Sequence, residues 1–143
     1  LNIDSYCLLF IKQTILGKLL ITFVKKNLMK KIYHLATCST CIRIIKELNP
    51  DTKVVLQDIK TEKITEEQLE EMKGLAGSYE VLFSKRAMKY KALGLKDKNL
   101  SEADLKAYIL EEYTFLKRPV IVVNDEIFVG NSKANIEKVK VHF

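Results

Sequence analysis

Apolar and polar positions divide the chain into short segments whose period changes several times. Ile32, Tyr33 and Leu35 form a brief run of strand-forming side chains, and directly after it Ile42, Ile45 and Leu48 recur at helical spacing. This predicts a strand, a tight loop and an amphipathic helix that opens at Cys38 and stops at Asn49-Pro50-Asp51. Proline cannot donate to the helical ladder and turns its predecessor away from helical geometry. The run Lys53-Val54-Val55-Leu56-Gln57-Asp58 reads as a second strand. A connection through one helix implies that it lies parallel to the first. Thr65-Glu66-Glu67-Gln68 is a capping-box start, followed by Leu69, Met72, Leu75 and Ala76 on one helix face. Gly74 and Gly77 break or bend this segment, and Ser78 caps a short turn through Val81-Leu82-Phe83.

Further on, residues 84–93 predict a helix that stops at Gly94, a typical residue just past a helix end. Ser101-Glu102-Ala103-Asp104 opens another, with Leu105, Tyr108, Ile109 and Tyr113 in register. Its tyrosines are assigned to packing. The period then shortens. Pro119-Val120-Ile121-Val122-Val123 is a buried-type strand, Asn124-Asp125 a turn, and Ile127-Phe128-Val129 its hairpin partner. Gly130 bends out, and Asn131 or Ser132 caps a last helix through Ile136 and Val139. The order is βαβ, a helical insertion, then ββα. We expect an α/β protein with a thioredoxin-like fold and a mixed four-stranded sheet.

Charge adds little to the picture of the body. The formal net charge is +6; half of it lies in residues 1–28, so the remainder is mildly basic. That suits a small anion, and no basic stripe interleaved with aromatics points to direct nucleic-acid binding. Residues 1–28 look unlike the rest. Lys12 and Lys18 interrupt their apolar runs short of the roughly 20 residues a membrane span needs, and they lack the layout of a secretory signal. We expect them to be an N-terminal extension outside the core domain, which would be residues 29–143, with no role for Cys7 and no membrane association.

Candidate chemistry centres on Cys38-Ser39-Thr40-Cys41. The first turn of a helix carries unpaired N–H groups and the positive end of the macrodipole, so it favours an anion. A cysteine there can fall from a pKa of about 8.5 to roughly 3.5–7.5 and become a nucleophile at neutral pH. A second thiol one turn on can resolve a mixed disulfide. A structural zinc site would need four ligands, and the chain offers no second Cys-x-x-Cys and only His34 and His142. No metal is expected. An odd count of three cysteines also argues against a secreted disulfide scaffold. His34, at the strand end, is expected to be satisfied by backbone.

The basic residues are almost all lysine, the exceptions being Arg43, Arg86 and Arg118. A guanidinium forks two parallel hydrogen bonds onto an oxyanion or carboxylate, which an ammonium cannot do. Arg118-Pro119 precedes the third strand, where the thioredoxin fold places a cis-proline beside the nucleophilic cysteine.

Taken together, Ile32-Tyr33-His34 before Cys38, the Cys38–Cys41 motif, Phe83-Ser84-Lys85-Arg86, Tyr90-Lys91-Ala92-Leu93 and residues 115–122 resemble the arsenate reductase/Spx family of glutaredoxin-like proteins. The resemblance implies that Cys38 attacks arsenate or a disulfide, that Arg86 and Arg118 hold and neutralise the oxyanion, and that Cys41 or an external thiol reduces the adduct. It further implies that Thr37, Ser39, Thr40, Lys117 and Pro119 line the substrate. No bound cofactor is expected. The reductant would be thioredoxin or glutathione with glutaredoxin, and the location cytoplasmic. The chain departs from the family pattern in three places. His34-Leu35-Ala36-Thr37 replaces the usual His-Asn-Pro before the cysteine. No third arginine follows Arg118, leaving Lys133 as the nearest basic substitute. Ile42 displaces Arg43 by one position, so Arg43 is expected to point away. Two other readings stay open: an Spx-like redox switch binding RNA polymerase, and a general disulfide reductase with no oxyanion site.

Overall fold

The computed structural model describes residues 29–143; the expectations for residues 1–28 lie outside the described residues. Strand β1 (Lys30–His34) leads through the short loop of residues 35–38 into helix α1 (Ser39–Leu48), then β2 (Val55–Asp58).

 The insertion follows as α2 (Glu66–Ala76), α3 (Tyr79–Leu82), α4 (Met88–Ala92), a 3₁₀ turn (Leu95–Asp97), α5 (Glu102–Glu111) and a second 3₁₀ turn (Tyr113–Phe115). The hairpin β3 (Val120–Val123) and β4 (Glu126–Val129) and the closing helix α6 (Lys133–Lys140) complete the chain. The sheet order is β2-β1-β3-β4. β1 runs parallel to β2 and antiparallel to β3, and β3 antiparallel to β4. This is the expected mixed four-stranded sheet.

Local rules account for most element ends. Thr65 Oγ1 accepts the Gln68 N–H at 3.2 Å while Gln68 Oε1 accepts the Thr65 N–H at 3.1 Å, a reciprocal capping box. Ser101 and Asp104 repeat the device at α5. Asn49 ends α1 in the left-handed conformation (φ 44°), which asparagine tolerates better than most residues. Asn124 turns the hairpin at φ 55°.

The two faces of the sheet bury different helices. Ile32, Ile121 and Val123 meet Ile44 and Leu48 of α1 and Ile136 and Val139 of α6. Tyr33, Val120 and Val122 meet the insertion through Leu69, Met72, Leu82 and Phe115. This corrects the expected apolar stripe of α1: Ile44 is fully buried, whereas Ile42 is 53% exposed. Cys41, Ile44 and Leu48 form the inward face, so the β1–α1 crossover turns Ile42 outward. The second strand also starts later than expected, at Val55, with Val54 packed in the core.

A second correction concerns residues 84–93. Only Met88–Ala92 is helical, and Ser84–Ala87 forms a turn. Phe83 is bridged antiparallel to Leu116, and the Ser84 N–H donates to the Phe115 carbonyl at 2.7 Å. The Phe83 and Phe115 rings stack with centroids 5.1 Å apart. These partners pin the start of the segment, so a turn forms where its own periodicity favours a helix.

Candidate active site

Cys38 occupies the N-cap of α1 with extended backbone geometry, as its sequence position implies. Its N–H donates to the Leu35 carbonyl and its carbonyl accepts the Ile42 N–H, both at 3.0 Å, which seats the loop on the first helical turn. The Sγ makes no capping hydrogen bond, yet it lies close enough to the first-turn N–H groups to feel them. Burial alone would raise the Cys38 thiol. The N–H and thiol of Cys41, the N–H of Thr40 and the Arg118 guanidinium together outweigh it and hold Cys38 below the usual thiol range.

Cys41 behaves in the opposite way. It is fully buried, and burial pushes its thiol up to about 11, with the neighbouring Cys38 adding to the rise against the Leu35 N–H and Arg118. Both cysteines are free thiols. The pair therefore consists of a partly exposed sulfur disposed to ionise and a buried one that keeps its proton.

Cys38 opens onto a cleft of about 550 Å³. Thr40, Arg86, Lys117 and Arg118 line it as well, so the fold gathers five of the expected site residues. Thr37 on the loop and Ser39 at the start of α1 are exposed without lining the cleft, and Cys41 lies behind Cys38. Pro119 is buried just behind Arg118, and the Arg118–Pro119 peptide is cis, as expected at this position.

Two short connections join the walls. The Lys117 N–H donates to the Leu82 carbonyl at 2.8 Å, which, with the Ser84–Phe115 bond, ties the segment carrying Arg86 to the one carrying Arg118. The Gly130 N–H donates to the Pro119 carbonyl at 2.9 Å, which brings Gly130, Asn131 and Ser132 to the remaining rim. Gly130 adopts φ 88°, a conformation that a side chain would strain.

Lys117 lines the cleft, but its ammonium donates to the Val81 carbonyl at 2.8 Å. The arginines separate in the same way. Arg43 points away, paired with Glu47 one helical turn on at 3.3 Å. Arg86 and Arg118 have no carboxylate within ion-pair distance among the described residues, whereas Lys85 beside them is paired with Glu80 at 3.0 Å. Lys133 does not line the cleft and supplies no third cation there. His34 departs from expectation. Its carbonyl accepts the Ile59 N–H at 2.9 Å, but its buried ring Nδ1 has no partner among the described residues. The nearby backbone is already engaged in the ladder that pairs His34 with Asp58.

Glu80, Ser84, Lys85, Asn131 and Ser132 also line the cleft, and sequence reasoning gave them no role at a site. Asn131 and Ser132 were legible only as cap residues, and Ser84 and Lys85 only as neighbours of Arg86. Among the described residues no group of three or more His, Cys, Asp or Glu is placed to hold a metal ion, and no helix is long and apolar enough to cross a membrane.

Comparison with known proteins agrees with this geometry. The uncharacterized protein YfgD of Escherichia coli (strain K12) is 29% identical over 104 residues, which span 70% of this chain and 87% of that one. An ArsC family related protein from Bacteroides fragilis superposes with a TM-score of 0.66 at 24% identity, covering 79% of this chain and 98% of that one. An arsenate reductase from Vibrio cholerae gives a TM-score of 0.65 at 23% identity, covering 78% and 95%. At such identities the two superpositions establish the fold. Residues 33–139 match the ArsC family, a stretch that holds Cys38, Cys41, Arg86 and Arg118, and the chain belongs to that family.

Proposed function

We propose that this protein is a thiol-dependent reductase in which Cys38 is the nucleophile, Arg86 and Arg118 hold the substrate's negative charge, and Cys41 resolves the adduct. The observation that carries the reading is a thiol held below its usual pKa in one cleft with two guanidiniums that lack carboxylate partners. Elsewhere in the described chain Arg43 and several lysines are matched to acids. Unmatched guanidiniums beside a nucleophile suit an incoming anion.

With arsenate as substrate, the Cys38 thiolate forms a sulfur–arsenic bond as an arsenate oxygen leaves as water. A second thiolate then attacks the Cys38 sulfur. The electron pair of the sulfur–arsenic bond stays on arsenic, which leaves as arsenite, and the two sulfurs form a disulfide. Cys41 is one turn from Cys38 and can supply that second thiol once its proton is removed; an external thiol such as glutathione can take the same part. Thioredoxin, or glutathione with glutaredoxin, would restore the dithiol. This is covalent catalysis with preorganised charge stabilisation.

The test is arsenate-dependent NADPH oxidation by the full chain, coupled once to a thioredoxin system and once to glutathione with glutaredoxin, with Cys38→Ser as control. Turnover lost in the variant supports the reading, and the coupling system that works identifies the reductant. Failure of both systems to turn over arsenate, with Cys38 still reactive towards disulfides, would remove arsenate as the substrate.

A further inference from the structure

Residues 85–99 form an unusual stretch of surface. Only Ala87 and Leu95 are buried and Tyr90 is half-buried; every other position is exposed. Within it, Lys85, Arg86, Lys89, Lys91, Lys96 and Lys98 stand against the single acid Asp97. Lys85 and Lys89 are matched by Glu80 and Glu112, but Arg86, Lys91, Lys96 and Lys98 have no carboxylate within ion-pair distance among the described residues. Large apolar side chains are exposed among these cations. Met88 is 90% exposed and Leu93 49% exposed.

The position of the stretch matters as much as its composition. Arg86 lines the cleft that holds Cys38, and Met88 opens α4 two residues later. A body seated on this lobe would therefore stand beside the mouth of the cleft. An exposed methionine is an adaptable apolar contact, and unmatched cations around it attract and orient an acidic surface.

We propose that the 85–99 lobe is the docking surface for a dithiol protein whose acidic rim surrounds an apolar contact, and that this partner reduces the adduct on Cys38. The inference rests on Cys38 being the nucleophile of the proposed function, but not on arsenate being the substrate. For a mixed disulfide on Cys38, one partner thiolate attacks the Cys38 sulfur and the bound group leaves as its thiolate. The partner's second thiol, after losing its proton, then displaces Cys38 as a thiolate. Two electrons pass, and the partner leaves as an internal disulfide.

The experiment uses the full chain carrying Cys7→Ser and Cys41→Ser, so that Cys38 is the one thiol, loaded as its mixed disulfide with thionitrobenzoate. Release of thionitrobenzoate is timed with three reductants: dithiothreitol, a Cys-Ala-Ala-Cys peptide flanked by Glu and Leu, and the same core flanked by Lys and Leu. The Glu-flanked peptide is expected to react about tenfold faster than the Lys-flanked one at low salt. At about 1 M salt, where the Debye length is about 3 Å, that advantage should largely vanish.

The decisive variant adds Lys91→Glu, Lys96→Glu and Lys98→Glu, leaving Arg86 and Arg118 in place. It should abolish or invert the preference, and Met88→Asp should slow both peptides, while the dithiothreitol rate stays within about twofold in each. A preference that survives the charge reversal would assign it to the cleft arginines and overturn the docking proposal. Equal losses with dithiothreitol and peptides would also overturn it, because the lobe would then be acting on Cys38 itself. Failure of the arsenate reading would appear separately, as absent arsenate turnover beside normal thionitrobenzoate release.

Discussion

On one wall of the cleft Cys38 stands at the head of α1, whose Ile44 and Leu48 pack against Ile32, Ile121, Val123 and the closing helix. On the other wall Arg86 stands at the root of a stretch that is anchored by little more than Ala87, Tyr90 and Leu95. The first wall must hold a sulfur against N–H groups and a guanidinium within fractions of an ångström, and a packed helix on a sheet does this. The second, on the proposed reading, carries charge towards a ligand or partner, and exposed side chains on a short helix and turns suffice. On the proposed reading, reactivity rests on the packed core, and recognition is shared between the insertion and Arg118 at the start of β3.

That division can be broken most severely at the nucleophile. Cys38→Ser should lower thiol-dependent turnover by about a thousandfold or more, measured as NADPH oxidation with any substrate the protein accepts. Loss of packing on the same wall comes next. Ile44→Ala should cost about 2–4 kcal/mol in chemical denaturation, roughly 30-fold to 1,000-fold in the folding equilibrium. A cost below about 1 kcal/mol would mean that α1 is not held as its burial implies.

Arg118→Lys sharpens the comparison within the site. Oxyanion turnover should fall about 10–100-fold, because the fork is lost, while iodoacetamide alkylation of Cys38 changes much less, because the charge remains. Equal losses in both would make Arg118 a structural residue. A smaller effect is expected from Cys41→Ala. The Cys41 thiol helps hold Cys38 below the usual thiol range. Its removal disfavours the thiolate, so the alkylation profile of Cys38 should move to higher pH. Cys41 itself, with its thiol pushed up to about 11, should react only at strongly alkaline pH in a Cys38→Ser background. The smallest change belongs to the exposed wall, where Met88→Ala should alter stability by no more than about 0.5 kcal/mol.

Much of the fold was legible because its signals are local. The capping pairs Thr65/Gln68 and Ser101/Asp104, the stop at Asn49-Pro50 and the turn at Asn124 each act through backbone groups a few residues apart. The position of Cys38 at a helix start is of the same kind. Part of the site was legible as well: scarce arginine singled out Arg86, Arg118 and Arg43 alike, and only the family resemblance, with Ile42 displacing it by one position, set apart Arg43. The fate of that residue depends on Glu47, one helical turn away.

The sequence by itself determined the element order, most helix starts and the Cys38–Cys41 spacing, because periodicity and capping are satisfied within a turn or a strand. Tertiary structure decided the rest. It made Ser84–Ala87 a turn by pairing Phe83 with Leu116. It buried Ile44 in place of Ile42, and it tied the Lys117 ammonium to the Val81 carbonyl. It also brought Arg86 and Arg118, far apart along the chain, to one thiol. These outcomes depend on partners distant in sequence, whose hydrogen bonds and packing outweigh the weaker preferences of each local segment.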